Sequence, residues 1–308
     1  VIILKKQELR SNVLLIITAL IWGSAFVAQR VGAQYIGAFT FNGIRFALGG
    51  LSLVPLMLYL NNAPKVTTKN ANKSYSVILA GIITGCILFL GASLQQIGLA
   101  YTSAGKAAFI TGLYIALVPI LGIFLKHKTH ITTWLGVILA VTGLYFLSVT
   151  ESFTIGKGDL FEVIGAFFWA LHILVIDHFT KKVDALKLSF IQTLTCSALS
   201  LIVAFIFETI NISSLSQAII PILYGGICSV GIAYTLQVVA QKHAKPSHAA
   251  IILSLEAVFA SIGGIIILGE NLGLRGYLGC VLMLAGMLLS QISNFTSSKE
   301  KKKNAHYL

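Results

Sequence analysis

The chain has 308 residues, 56% of them apolar and 10% charged, with a formal net charge of +12; a soluble domain runs at about 45–50% apolar and about 25% charged. With 22 Lys and Arg and 10 Asp and Glu, it cannot coat a water-soluble surface of that size, so lipid must solvate the apolar excess. The basic residues fall in short clusters between apolar runs, without a nucleic-acid-binding motif or a single basic face, which argues against nucleic acid as a partner.

In chain order, Lys5, Lys6 and Arg10 precede a first apolar run that resembles a secretory signal but continues through Trp22 to Val31 without a cleavage site. It is expected to be a retained span. Crossing the hydrocarbon takes about 20 apolar residues, and ten such runs follow one another near 13–33, 37–60, 75–98, 104–125, 132–149, 160–180, 186–207, 216–240, 248–268 and 274–293. The runs are continuous rather than alternating, which predicts helices and excludes a barrel. Breakers separate them: NNAP at Asn61–Pro64, TSAG at Thr102–Gly105, AKPS at Ala244–Ser247 and GENLG at Gly269–Gly273. Cys86, Cys196, Cys228 and Cys280 lie inside apolar runs without metal-binding spacing, so no metal and no cofactor is expected.

The connectors test the count. Basic clusters at Lys5–Arg10, Lys65–Lys73, Lys126–Lys128, Lys181–Lys187, Lys242–Lys245 and Lys299–Lys303 place 17 Lys and Arg on the side of the N-terminus, against 4 opposite: Arg30, Lys106, Lys157 and Arg275. Only Arg45 is left within a span. The positive-inside bias then puts both termini in the cytoplasm.

The halves match weakly when slid by about 142–147 positions. Trp22 falls on Trp169, Gln95 on Gln237, Ala107 and Ala108 on Ala249 and Ala250, Gly136 on Gly279, and Gly143 on Gly286. Five spans per half is an odd number, so the second copy enters the membrane inverted. The expected fold is an all-α membrane protein with ten transmembrane helices in a 5+5 inverted-topology repeat, both ends inside. A first repeat covers 12–149, a second 159–294, and 295–308 is a basic cytoplasmic tail whose SSKEKKK run, Ser297–Lys303, touches anionic headgroups. Rocking one inverted half against the other is how many secondary transporters alternate access around a midplane site.

WGSAFVAQRVG (Trp22–Gly32), FTFNGIRFALGG (Phe39–Gly50), LEAVFASIGGIIILGE (Leu255–Glu270) and LRGYLGCVLMLAGMLL (Leu274–Leu289) resemble the EamA branch of the drug/metabolite transporter superfamily, over residues 12 to 294. The resemblance implies a ten-helix 5+5 inverted repeat, a central cavity between the halves, and export or uptake of small polar metabolites, amino acids among them. One departure stands out: the second half ends its fourth helix in LGE, Leu268–Glu270, where the first half has LKH, Leu125–His127.

Arg45 lies eight residues past Gly37, about 12 Å deep at 1.5 Å per residue. There it costs about 2.5–3.5 kcal/mol on insertion scales unless water or a partner meets it. Glu256 lies equally deep from the opposite surface, eight residues past His248. The two are expected to flank the substrate pathway, either paired or taking the carboxylate and ammonium of a zwitterion; an ion pair that only locks packing is the competing reading. His172 could couple transport to protons, or simply pack. Trp22, Trp169, Asn42, Gln95, Gln237, Tyr114 and Tyr234 are candidate cavity walls, with interhelical bonding as the alternative. Asp177 and Lys181 are spaced for a surface pair, and Lys106 and His248 for the membrane interface.

No HExxH, GxSxG or P-loop is present, so an enzyme or ATP-driven pump is not expected. The function expected is secondary transport, most simply export, across the bacterial cytoplasmic membrane. An uptake carrier for a metabolite or cofactor, a channel and a scaffold are the alternatives. The expected partners are a small polar solute, anionic lipid at the cytoplasmic face and, through His172, protons; a homodimer is left open.

Overall fold

A computed structural model describes residues 2–61, 76–102, 104–127, 129–148, 156–268 and 273–304. The breakers at 62–64 and Gly269–Leu272, the lysines at 65, 69, 73 and 128, and Glu270 lie outside the described residues, as does the Lys106 side chain.

Every regular element among the described residues is helical: α1 (Ile2–Gly32), α2 (Ala38–Ser52), α3 (Val54–Asn61), α4 (Val77–Tyr101), α5 (Ala104–Gly112), α6 (Tyr114–Phe124), α7 (Ile131–Ser148), α8 (Lys157–Thr180), α9 (Ala185–Phe207), α10 (Ile212–Gln217), α11 (Ile219–Leu223), a π-helical stretch (Tyr224–Tyr234), α12 (Thr235–Gln241), α13 (Pro246–Leu253), α14 (Glu256–Leu268) and α15 (Gly273–Asn304). Among the described residues, eight stretches are long and apolar enough to cross a membrane: Gln7–Gly32, Ala38–Tyr59, Val77–Tyr101, Ala107–Phe124, Lys157–Thr180, Ala185–Phe207, Ile219–Gln241 and Pro246–Gly263. Two shorter apolar helices, Ile131–Phe146 and Gly273–Leu289, occupy the remaining two places in the expected order. The last helix runs to Asn304, so it continues into the region read as a tail.

Large apolar side chains such as Phe124, Phe205, Phe207, Ile212 and Leu274 are exposed. That is the surface a hydrocarbon solvent asks for, with backbone polar groups closed within each helix. The interior holds small and polar residues alongside large apolar ones such as Phe26, Phe41, Phe46 and Leu88. Two apolar clusters, one around Leu88, Tyr114, Trp169 and Leu253 and one around Phe26, Ile115, Leu144 and Val258, pack the bundle from α1 through α15.

Three local features position the site. First, α5 gives way to α6 at Leu113 and α13 to α14 at Ser254–Leu255. At each break the ladder tightens to three-residue bonds, from Leu113 N to Ile110 O and from Ala116 N to Leu113 O, then from Leu255 N to Ile252 O and from Ala257 N to Ser254 O. Broken helices of this kind in corresponding places of two halves are how transporters build a midplane site. Second, the π-helical stretch spans eleven residues, although π turns are ordinarily single-turn features that mark functional positions. Third, α7 and α15 meet glycine to backbone. A Cβ on Gly143 would lie 2.6 Å from the Gly279 carbonyl oxygen, and one on Gly286 would lie 2.6 Å from that of Gly136. The four glycines are the pairs that the repeat matched in sequence, and each touches the counterpart of the other glycine on its own helix.

The end of α6 is unusual. His127 N bonds to Gly122 O and Lys126 N to Ile123 O, the two bonds of a Schellman cap. Its left-handed residue is Lys126, φ 59°, the non-glycine residue with positive φ among those described. A side chain there costs about 1–2 kcal/mol.

Candidate functional site

A cavity opens between the two halves at the level of the helix breaks. It is lined by Trp22, Phe26 and Gln29 from α1, Arg45 from α2, Gln95 from α4, Thr111 and Tyr114 from α5 and α6, Trp169 and Ile173 from α8, Ser229 and Tyr234 from the π-helical stretch, Gln237 from α12, and Leu253 and Glu256 from α13 and α14. The space open to the centres of water molecules is about 30 Å³. One water needs roughly 10–15 Å³ by that measure, so this conformation holds the walls nearly closed.

Eight of the ten residues singled out from the sequence are in this wall. The other two stand one layer behind it. Asn42 receives Arg45 Nε on its Oδ1 at 2.9 Å and donates Nδ2 to Ala92 O at 3.0 Å, so it fixes the arginine from the rear. His172 meets the Oε1 of Gln192 at 3.1 Å and presents its ring edgewise to Trp169 and Tyr234.

Arg45 is 2% exposed. Its guanidinium carbon lies 5.3 Å from the ring centre of Phe41 and 5.0 Å from that of Phe46, two cation–π contacts that offset part of its desolvation. Only Nε has a hydrogen-bond partner among the described residues. The planar end of the fork is left for the cavity. Glu256 shares the cavity but makes no ion pair with Arg45; its Oε1 accepts from Tyr114 Oη at 3.0 Å. Each charge therefore faces the space through its own support rather than through the other.

Three aromatic rings share the cavity wall with them. Trp22 lies 4.8 Å from Tyr234 and 6.4 Å from Trp169, and Trp169 stacks on Tyr234 at 6.2 Å. Trp22 Nε1 donates to Ser229 O at 3.2 Å, which ties α1 to the π-helical stretch. Gln29 Oε1, Trp169 Nε1 and Gln237 Oε1 are buried without a hydrogen-bond partner among the described residues. Buried polar atoms are ordinarily paired, so three orphans around one cavity are sites that water or a solute can satisfy.

Sequence reasoning missed the polar chain behind Gln95. Gln95 Nε2 donates to Thr111 Oγ1 at 3.3 Å, which donates to Glu162 Oε2 at 2.9 Å. Glu162 is fully buried, and its carboxyl fills the notch where Gly98 lacks a side chain. Gln29, Thr111 and Ser229 were missed as well, being common residue types in spans. Asp177 and Lys181 pair at 2.7 Å as their spacing implied. His248 does not reach the interface: it is 3% exposed, with Nε2 3.4 Å from Thr133 Oγ1 on α7.

Comparison with known proteins places this architecture. The model of the EamA-like transporter family matches residues 9–149 and again 156–291. An uncharacterized transporter of Archaeoglobus fulgidus is 31% identical over 289 residues, covering 92% of this chain and 86% of that protein. The uncharacterized transporter YoaV of Bacillus subtilis is 24% identical over 294 residues, covering 93% and 97%. A solved crystal structure shares the fold with a TM-score of 0.73 at 16% identity, over 92% of this chain and 96% of that one.

Proposed function

Because the chain belongs to the EamA-like transporter family, and is a multi-pass membrane transporter, we propose that it is a secondary carrier exporting small zwitterionic metabolites, amino acids and their relatives, by alternating access. Ten helices in two inverted sets of five, with both ends inside, suit this reading. The tandem family matches and the paired helix breaks support the repeat, and the lysine distribution supports the orientation.

One observation carries the substrate class: Arg45, deep in the bundle and held through Nε by Asn42, lines a cavity shared with Glu256 and three aromatic rings. A guanidinium fork fits a carboxylate with two parallel bonds, while rings and a carboxylate attract an ammonium. A zwitterion satisfies both ends. In the proposed cycle the halves separate to widen this small cavity and admit solute.

The test is counterflow of labelled amino acids in proteoliposomes. Saturable exchange supports a carrier, ohmic current makes it a channel, and no flux of any zwitterion or metabolite sinks the proposal in favour of a scaffold. Inverting the gradient across oriented vesicles reads the direction. His172 is the candidate proton-coupling group; a His172→Gln carrier with unchanged pH dependence would exclude it from that role.

A further inference from the structure

A second, larger space lies at the lysine-rich end of the bundle. About 470 Å³ is open there to the centres of water molecules. It is walled by the start of α1, the segment after α6, the end of α8 and the segment between α12 and α13. The two spaces are about one helical turn apart. On α8, Ile173 lines the central cavity and Asp177 this vestibule; on α13 the same is true of Leu253 and His248, separations of about 6 and 8 Å at 1.5 Å per residue.

Charge in the vestibule is lopsided. Asp177 is neutralised by Lys181 at 2.7 Å. Lys126, Lys242 and Lys245 also line it, and none of the three makes an ion pair among the described residues. Glu8 is the other acidic group in the wall. Lysines that follow the positive-inside bias ordinarily spread toward headgroups, whereas these converge on one concavity. Lys126 also holds a left-handed backbone, where the aligned residue of the second half is Gly269. A disfavoured conformation kept with a side chain that lines a cavity points to a use for that side chain.

We propose that this vestibule is an anion-binding antechamber, in which Lys126, Lys242 and Lys245 gather the carboxylate of a soluble metabolite one helical turn from the central cavity. The proposal rests on the carrier reading for its destination but not for its binding. Lysine is a flexible point charge with a strong hydration shell, so it attracts a carboxylate and lets it leave; the planar fork of Arg45 is built to hold it.

The test uses Ser247, a half-buried residue of the wall, as a reporter. In a chain whose Cys86, Cys196, Cys228 and Cys280 are replaced by alanine, Ser247→Cys is labelled in phosphatidylcholine nanodiscs with a sulfonate-bearing and a trimethylammonium-bearing methanethiosulfonate. The anionic reagent should react at least about tenfold faster, the local enrichment a cleft of one sign gives. Salt should shrink the ratio, and combined Lys126→Gln, Lys242→Gln and Lys245→Gln should abolish it. Equal rates, or a preference that survives the triple variant, overturn the proposal. So does a preference lost when phosphatidylglycerol replaces part of the lipid, since headgroups would then hold the lysines. The unaltered chain gives a second reading: citrate should slow acylation of the three lysines by a neutral succinimidyl ester at least about threefold while sparing Lys187, and no protection overturns the proposal. Labelling needs no transport, so anionic preference without counterflow of any zwitterion would remove the carrier reading and leave the anion site standing.

Discussion

Tyr114 and Glu256 hold equivalent places in the two halves, 142 positions apart, each opening the helix that follows a break, and they bond to each other at 3.0 Å. The contact joins α6 of the first half to α14 of the second. Tyr114→Phe removes the donor and leaves Glu256 Oε1 without a partner, which should cost about 1–3 kcal/mol. The midpoint of denaturant unfolding in micelles should fall accordingly. An unchanged midpoint would mean that the bond contributes nothing in the folded bundle.

Arg45→Lys keeps the charge and loses the fork, while Arg45→Met also loses the charge. A charge-assisted bond is worth about 1.5–3 kcal/mol, so counterflow efficiency should drop roughly 10–150-fold for Met and less for Lys. Both variants should insert and fold, since methionine removes a buried cation rather than adding one. Equal transport by all three chains would take Arg45 out of substrate recognition.

Glu208, at the end of α9, accepts from Phe39 N at 2.9 Å, Thr40 N at 2.7 Å and Thr40 Oγ1 at 2.6 Å. It caps the start of α2 from another helix, against Gly37, where any Cβ would collide with the carboxylate. Glu208→Ala should cost about 0.5–2 kcal/mol, the range for lost N-caps. Faster hydrogen exchange confined to the amides of residues 39 and 40 is the measurement, and unaltered exchange there would refute the cap.

The α7–α15 contact predicts sharp sensitivity to volume. Gly286→Val forces a side chain against the Gly136 carbonyl and Ala140; overpacking of this kind costs about 1–3 kcal/mol. Gly263→Val is the control, because nothing lies within 4 Å of a Cβ there. Equal melting temperatures for the two variants would show that the helices are not in backbone contact.

His243, beside the vestibule, has its pKa lowered by burial and by the repulsion of Lys242 and Arg10. The folded chain therefore takes up this proton at lower pH than the unfolded chain does, near 6.5. The stabilising difference is present above about pH 6.5 and is lost as the pH falls through the folded value. His243→Gln should flatten that part of the stability profile. Protonation should also raise the anionic labelling preference at Ser247 in acid, and a ratio that falls instead would contradict the sign.

Most of the bundle and much of the site could be read from residue order. Apolar run length places the helices, because lipid demands about 20 residues whatever surrounds them, and a lone Arg45 or Glu256 in such a run has few places to go but a cavity. The helix breaks were not legible. Leu113 and Leu255 are ordinary apolar residues, and the Gly112 and Ser254 beside them are residue types that unbroken membrane helices also carry. Glu162 escaped for a related reason. It lies six residues into α8, where a carboxylate near a span end looks solvated, and only the notch above Gly98 shows that it is buried. His172 and Asn42 look in sequence like their cavity-lining neighbours; one layer of depth separates a wall from its support, and that layer is set by helix rotation in the packed bundle.

The glycine crossings between α7 and α15 bear on motion. Two contacts, each between a glycine and the carbonyl of a facing glycine, hold the helices at backbone distance with Met283 and Ala140 packed beside them, so the two helices cannot draw apart without losing their closest fit. In the proposed carrier such a joint would serve as a fulcrum, the ends of the bundle swinging about it to shift the partition, a single turn thick, that lies between the two spaces.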